Sequence, residues 1–412
     1  MVGLLSEIFN FQLFIFNSES YICTHMISFD DTEKAFISKS NSDLIRSYRL
    51  FKIIGNPIFV RLGGIFTPLA LNLHLPIKGI IKQTIYKQFV GGETIVECDA
   101  TIKELAKYNI GTILDYSVEG KETEPDFDAC MNETIETIHR AKNDTSIPFC
   151  VFKVTGLAPF ALLEKVSAKG DLTDAETAAW NRVKQRVYNI CKQAHKFSKP
   201  IFFDAEESWI QPAIDDLATE NKEKFNKETA IIYNTYQLYR HDRFIYLEAC
   251  IKEAKEKNYH IGAKLVRGAY MEKERKRAAE QGYPSPIQPS KEGSDADYNL
   301  ALELCVKNID HVSICAGTHN EQSSLFLVDL MRKNNIQPGD KRIYFAQLLG
   351  MSDHISYNLS LAKYNVAKYV PYGPVKEVLP YLLRRAQENT SVKGQTGREL
   401  SLIMKEKKRR KK

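Results

Sequence analysis

The chain has 412 residues and a formal net charge of +6. That is enough to bury one barrel core of about 250 residues plus an extension, but not a second catalytic domain. Residues 405–412 carry seven basic side chains and one acidic one, which accounts for +6 alone; the body is formally neutral, which removes the case for a nucleic-acid-binding body.

Residues 2–16 are apolar but contain Glu7, and the first Lys or Arg is Lys34. This is the pattern of neither a secretory signal nor an Arg-rich transit peptide, and the stretch is too short to span a bilayer. Residues 1–25 are therefore expected to be an over-extended start ahead of Met26, in a cytoplasmic bacterial protein. From there to residue 110 the chain reads as helices, so residues 1–110 form an N-terminal helical segment. Within it, residues 57–81 are apolar and punctuated by proline, with Arg61, His74 and Lys78 interspersed. Two readings stand for that stretch: packing against the following domain, or attachment to a membrane surface.

Eight short apolar runs follow, at 112–118, 149–154, 200–204, 230–237, 260–266, 312–316, 342–346 and 368–370. They mostly do not alternate, as expected of parallel strands buried on both faces. Segments with helical periodicity separate them, so the predicted fold is α/β, a (β/α)8 TIM-like barrel over residues 111–400 with an N-terminal helical extension. A proline-rich loop at 281–294 follows the fifth strand and its short helix, where barrels often carry cofactor contacts. The basic run is expected to be a loose tail over residues 401–412, either solubilising or touching phosphates or anionic lipid. Eight cysteines without a Cys-x-x-Cys and nine histidines without a His-Glu-x-x-His point away from a disulfide framework and a metal site.

Barrel chemistry sits at the C-terminal ends of the strands. Those ends carry Asp115 and Glu119, Lys153, Asp204 with Glu206 and Glu207, Gln237, Lys264 with Arg267 and Tyr270, Thr318-His319-Asn320, Gln347, and Tyr369 with Tyr372. The last helix adds Tyr381, Arg384 and Arg385. Adjacent arginines on a helix point about 100° apart, so they suit gripping a small carboxylate from two directions. Glu119 and Asp204 would face them, with Lys153 adding a cation beside Asp204. This set suits a zwitterionic amino acid better than a neutral substrate. No Gly-x-Gly-x-x-Gly follows any strand, so a Rossmann dinucleotide site is not supported. The polar groups of Gln237, Lys264, Arg267, Gly268, Thr318, His319 and Asn320 instead suit a flavin held by the barrel.

Six segments in order, Asp204-Ala-Glu-Glu207, Tyr236-Gln237, Lys264-Leu-Val-Arg-Gly-Ala-Tyr270, Gly317-Thr-His-Asn320, Tyr369-Val-Pro-Tyr-Gly373 and Tyr381-Leu-Leu-Arg-Arg-Ala-Gln-Glu-Asn389, together resemble the motifs of the proline dehydrogenases. The resemblance covers about residues 110–400. It implies a monofunctional, FAD-dependent barrel of bacterial type that oxidises L-proline to Δ1-pyrroline-5-carboxylate and passes electrons to a quinone. It also implies peripheral contact with the inner membrane and a separate pyrroline-5-carboxylate dehydrogenase as a partner. Position by position, Arg384 and Arg385 pair with the proline carboxylate, and Glu119 is the gate partner of Arg384. Lys153, Asp204, Leu265, Tyr369 and Tyr381 enclose the ring. Gln237, Lys264, Arg267, Gly268, Tyr270, Thr318, His319 and Asn320 hold the flavin. Bifunctional bacterial relatives usually carry Arg where this chain has Lys264, which keeps the charge but loses the planar fork. The competing readings are a hydroxyproline dehydrogenase on the same scaffold, against which Tyr369 argues by crowding a substrate hydroxyl, and a non-catalytic barrel that binds anions or lipid.

Overall fold

The computed structural model describes residues 27–73, 76–117, 122–391 and 395–411. The eight apolar runs become β1 (Ile110–Tyr116), β2 (Phe149–Phe152), β3 (Ile201–Phe203), β4 (Ile232–Gln237), β5 (Ile261–Val266), β6 (Val312–Gly317), β7 (Ile343–Leu348) and β8 (Val366–Tyr372). They pair in parallel in chain order and close, β8 returning to β1 from Ile110↔Val366 to Tyr116↔Tyr372. The (β/α)8 barrel expected from the sequence is the fold.

Closure gives every strand an inner and an outer face, and successive side chains alternate between them. One apolar cluster fills the lumen: Phe149 and Val151 from β2, Phe202 from β3, Tyr233 from β4, Cys315 from β6 and Tyr369 from β8 among others. Phe149 anchors it, stacked on Phe202 at 4.6 Å and edge-on to Tyr233 at 5.5 Å. A larger cluster lies between the outer faces and the helices and takes Ile201, Phe203, Ala263 and Leu265.

The helices start where the sequence caps them. Thr173 and Glu176 form a reciprocal capping box ahead of Asp174–Lys196, Ser40 and Asp43 do the same ahead of Asn41–Ile54, and Ser290 caps Lys291–Lys307. That last helix uses the final third of the 281–294 stretch, so the loop is shorter than expected.

A third cluster joins Leu44, Phe51 and Ile54 of Asn41–Ile54 to Tyr381 and Leu382 of Leu379–Ser391 and to Leu402 and Ile403. The basic C-terminal run therefore differs from expectation: residues 401–409 belong to a docked helix, Gln395–Arg409. Helical spacing puts Leu402, Ile403 and Glu406 on its buried side. Arg410 then donates to Glu406 (2.6 Å), to the Lys39 carbonyl (2.8 Å) and to the Phe36 carbonyl (2.9 Å). Reading the run by charge alone misses one carboxylate placed to collect those cations. Residues 1–25, expected to be an over-extended start, lie outside the described residues.

Candidate active site

At the C-terminal ends of β1, β2, β3 and β5 the inner faces carry Asp115, Lys153, Asp204 and Lys264. Lys264 Nζ donates to Asp204 Oδ1, while Lys153 Nζ lies 3.6 Å from Asp204 Oδ2 and 4.0 Å from Asp115 Oδ2. Tyr369 Oη donates to Asp204 Oδ1 at 3.4 Å, and Lys264 Nζ sits 4.4 Å from the Tyr369 ring centroid. That is cation–π distance on a desolvated ring. Burial works against the Asp204 carboxylate, but Lys264 and Lys153 outweigh it and hold the group below the usual range. Burial likewise opposes the Lys153 charge, and Asp115 and Asp204 keep it protonated. Two cations thus flank one buried carboxylate, and both are neutralised from within the site.

A second group lies beside it. Glu206 accepts from the Thr155 amide (3.1 Å) and hydroxyl (2.5 Å), and burial pushes its carboxyl up to about 7 despite those bonds and Lys153. Gln237 Nε2 donates to the Glu206 carbonyl at 2.9 Å. Gln237 Oε1 is buried with no hydrogen-bond partner among the described residues. A buried amide oxygen without a donor costs about 1–3 kcal/mol unless a bound group supplies one. Burial raises the Tyr270 phenol, Glu206 adding to the rise and Lys153 and Arg384 opposing it.

The remaining wall is held by its neighbours. Arg267 donates to Asp295 (2.5 Å), Thr318 (2.9 Å) and Ser323 (2.9 Å) and lies 4.4 Å over the Tyr298 ring. Asn320 caps Glu321–Lys333, its side chain accepting from the Ser323 amide at 3.0 Å. His319 shares a hydrogen bond with the Ser352 hydroxyl at 2.9 Å; burial, with Lys368 and Arg385, lowers its imidazole to about 3, so it is neutral. Ser352 itself has φ 51°, a left-handed conformation unfavourable for serine, and its amide donates to Glu399 at 2.6 Å. Gly268 has φ 143°, and a Cβ there would lie 2.3 Å from the Tyr239 ring, so only glycine fits. On Leu379–Ser391, Arg385 and Tyr381 are one turn apart, the guanidinium 5.3 Å from the phenol ring.

The structure thus gathers Lys153, Asp204, Lys264 and Tyr369 directly, ties Gln237 to the Glu206 carbonyl, and leaves the Tyr270 phenol under the charges of Glu206, Lys153 and Arg384. Arg267, Thr318, His319 and Asn320 form a linked wall with Gly268. Leu265 does not join them. It is fully buried on the outer face of β5, because its neighbour Lys264 takes the inner face and adjacent strand residues cannot share one. The leucine at the mouth is Leu348, paired in register with Tyr369 and packed against the clusters of both Tyr369 and Tyr381. Counting by twos along β7 from Ala346 would have found it. Asp115 and Glu206 were visible only as strand-end acids, and their partners across the barrel give them weight. Glu119 lies outside the described residues.

A closed barrel with a charged, largely buried mouth at the C-terminal ends of its strands defines a (β/α)8 enzyme acting on a small molecule. The proline dehydrogenase family profile matches residues 98–398, and the chain belongs to that family. Similar proteins include proline dehydrogenase 1 of Dictyostelium discoideum, 33% identical over 92% of this chain and 74% of the relative. The carbapenem antibiotics biosynthesis protein CarD of Pectobacterium carotovorum is 35% identical over 77% of this chain and 82% of its own. Proline utilization A from Bdellovibrio bacteriovorus superposes with a TM-score of 0.69 at 20% identity, over 91% of this chain and 40% of that one, a likeness of fold.

Proposed function

We propose that this proline dehydrogenase oxidises L-proline to Δ1-pyrroline-5-carboxylate with FAD as its hydride acceptor and a quinone as the onward electron acceptor. The single observation that carries the flavin reading is Gln237 Oε1, an acceptor left without a donor in the buried mouth beside Lys264 and the glycine turn at Gly268. When bound, the flavin would take the hydride from the ring carbon next to the proline nitrogen. The residues fit it: Gln237 offers an acceptor to a ring N–H, and Lys264 places a positive charge nearby. Arg267, Thr318, His319 and Asn320 line the wall that would meet the rest of the group.

Arg384 and Arg385 are assigned to the proline carboxylate, one from the side of Tyr270 and the other from that of Tyr381 and His319. Asp204 and Lys153 fix the floor, while Leu348, Tyr369 and Tyr381 exclude water from the ring. Proline must present a free amine to lose hydride, so activity should rise with pH. The purified chain should carry flavin-type absorbance and reduce a soluble dye with proline. In Arg384→Met and Arg385→Met the KM for proline should rise about 10- to 150-fold while flavin content stays near stoichiometric, the loss of one charge-assisted contact of about 1.5–3 kcal/mol. Unchanged proline kinetics in both would remove the arginines from the site.

Tyr369 sets the choice of proline over hydroxyproline in this reading. Its ring is buried and stacks 6.3 Å from Phe202, filling the lumen below Asp204. Tyr369→Ser should admit trans-4-hydroxyproline and weaken proline, measured as the ratio of kcat/KM for the two substrates. An unchanged ratio would take Tyr369 out of the specificity argument.

A further inference from the structure

The helix Pro57–Asn72 has one side with a partner and one without. Val60 packs against the cluster of Phe51, Tyr381 and Leu382, and Gly63, Gly64 and Thr67 are half-buried. Ile58, Phe59, Leu62, Ile65 and Phe66 point the other way and are between 44% and 67% exposed. At about 100° per residue these five occupy an arc of roughly 120°, a continuous apolar face. Soluble monomers seldom expose such a face without a use for it.

Charge selects what covers it. Residues 44–92 contain Arg46, Arg49, Lys52, Arg61, Lys78, Lys82 and Lys87 and no Asp or Glu, a net +7. Residues 405–412 carry +6, so the rest of the chain is at −7 against a total of +6. The formally neutral body is therefore polarised. The two basic segments also adjoin: Gln395–Arg409 packs against Asn41–Ile54, with Lys407 Nζ 4.2 Å over the Tyr48 ring. Arg46 pairs with Asp43, and Lys78 and Lys82 with Glu93, while Arg61 flanks the apolar arc on its own helix and Arg49 and Lys52 are exposed on the preceding one.

The helix is too short to cross a bilayer: 16 residues rise about 24 Å against a hydrocarbon core of about 30 Å. Its neighbour Asn41–Ile54 meets it at 90° and is pinned by buried Leu44, Leu50, Phe51 and Ile54, so the pair cannot insert as a hairpin without giving up that core. An apolar arc edged by cations suits a helix lying in the lipid interface.

We propose that Pro57–Asn72 is an interfacial helix that docks this chain on an anionic lipid surface, Phe59 and Phe66 entering the acyl boundary and Arg49, Lys52 and Arg61 meeting the headgroups. A second copy would set its own cations against these, and residues 1–26 offer only Glu7 and Glu19. A lipid headgroup layer offers negative charge throughout. The proposal goes beyond the assigned reaction and rests on it only in its purpose. Leu379–Ser391, which carries Arg384 and Arg385, packs directly on this helix, so docking would bring the barrel mouth beside a lipid-dissolved acceptor.

The test is sedimentation of the full chain with phosphatidylcholine–phosphatidylglycerol vesicles and with phosphatidylcholine alone. The parent should bind the mixed vesicles more tightly, less so as salt rises. Phe59→Asp with Phe66→Asp should weaken binding about tenfold or more, while the circular dichroism spectrum and dye-coupled proline oxidation stay at parent values. Dye-coupled activity reports the reaction and sedimentation the surface, so either can fail alone. The proposal is overturned if the double variant binds like the parent, or if the parent stays in the supernatant. It also falls if the parent is a dimer that the substitutions split without changing vesicle binding, or if the parent binds only once residues 1–26 are removed.

Discussion

Asp204→Ala should destabilise the protein by about 3–5 kcal/mol, read as a lowered midpoint in urea, because it strands the Lys264 and Lys153 ammonium groups without their shared carboxylate. Asp204→Met combined with Lys264→Met should recover part of that loss, since the uncompensated charge leaves with the acid. The pH dependence has a definite sign. Asp204 titrates below its ordinary value in the folded chain, so its contribution is present above the unfolded value of 3.8 and is lost as pH falls through the depressed one. Between pH 5 and 8 the deficit of the single variant should therefore show no dependence on this group. A variant as stable as the parent would mean the two lysines do not depend on Asp204.

Glu206→Gln should have the opposite pH signature. Its carboxyl rises from 4.5 to about 7 on folding, so its stabilising contribution is complete below the unfolded value and disappears as pH rises through about 7. The shift corresponds to about 3 kcal/mol between pH 4 and 8. Glutamine keeps the shape and can still accept from the Thr155 amide and donate to its hydroxyl, yet it does not ionise. Relative to the parent, the variant should gain stability from pH 5 to pH 8 by an amount of that order, measured by urea titration at each pH. A constant difference would place the Glu206 pKa near that of the unfolded chain. Because Gln237 is tied to the Glu206 backbone rather than its side chain, flavin content should change little.

The barrel was legible because each strand is a short apolar run ended by a polar residue, and such runs have few other homes. The charged cluster was legible for the same reason, since Lys153, Asp204 and Gln237 stand at the ends of three of them. Leu265 shows the limit. Runs that are apolar throughout do not announce which residues face inward, and a motif read as a unit hid the fact that Lys264 and Leu265 point apart. Leu348 could be found by parity once one inward residue of β7 was known. Glu206 looked like one more loop acid until Thr155, fifty-one residues earlier, supplied its donors. The basic run was misread because net charge ignores helical phase, and the neutral total hid a segment, residues 44–92, with seven cations and no acid.

Glu399 reaches across from Gln395–Arg409 to hold the Ser352 amide, and Ser352 in turn holds His319. In the order of synthesis every strand precedes that helix. The sheet can therefore close at β8 while the left-handed turn at Ser352 rests on the Ile355 and Ser356 amides that donate to its carbonyl, without the Glu399 clamp. The His319 side of the mouth therefore gains its last anchor only with the final helix, after the strands of the barrel are all in place.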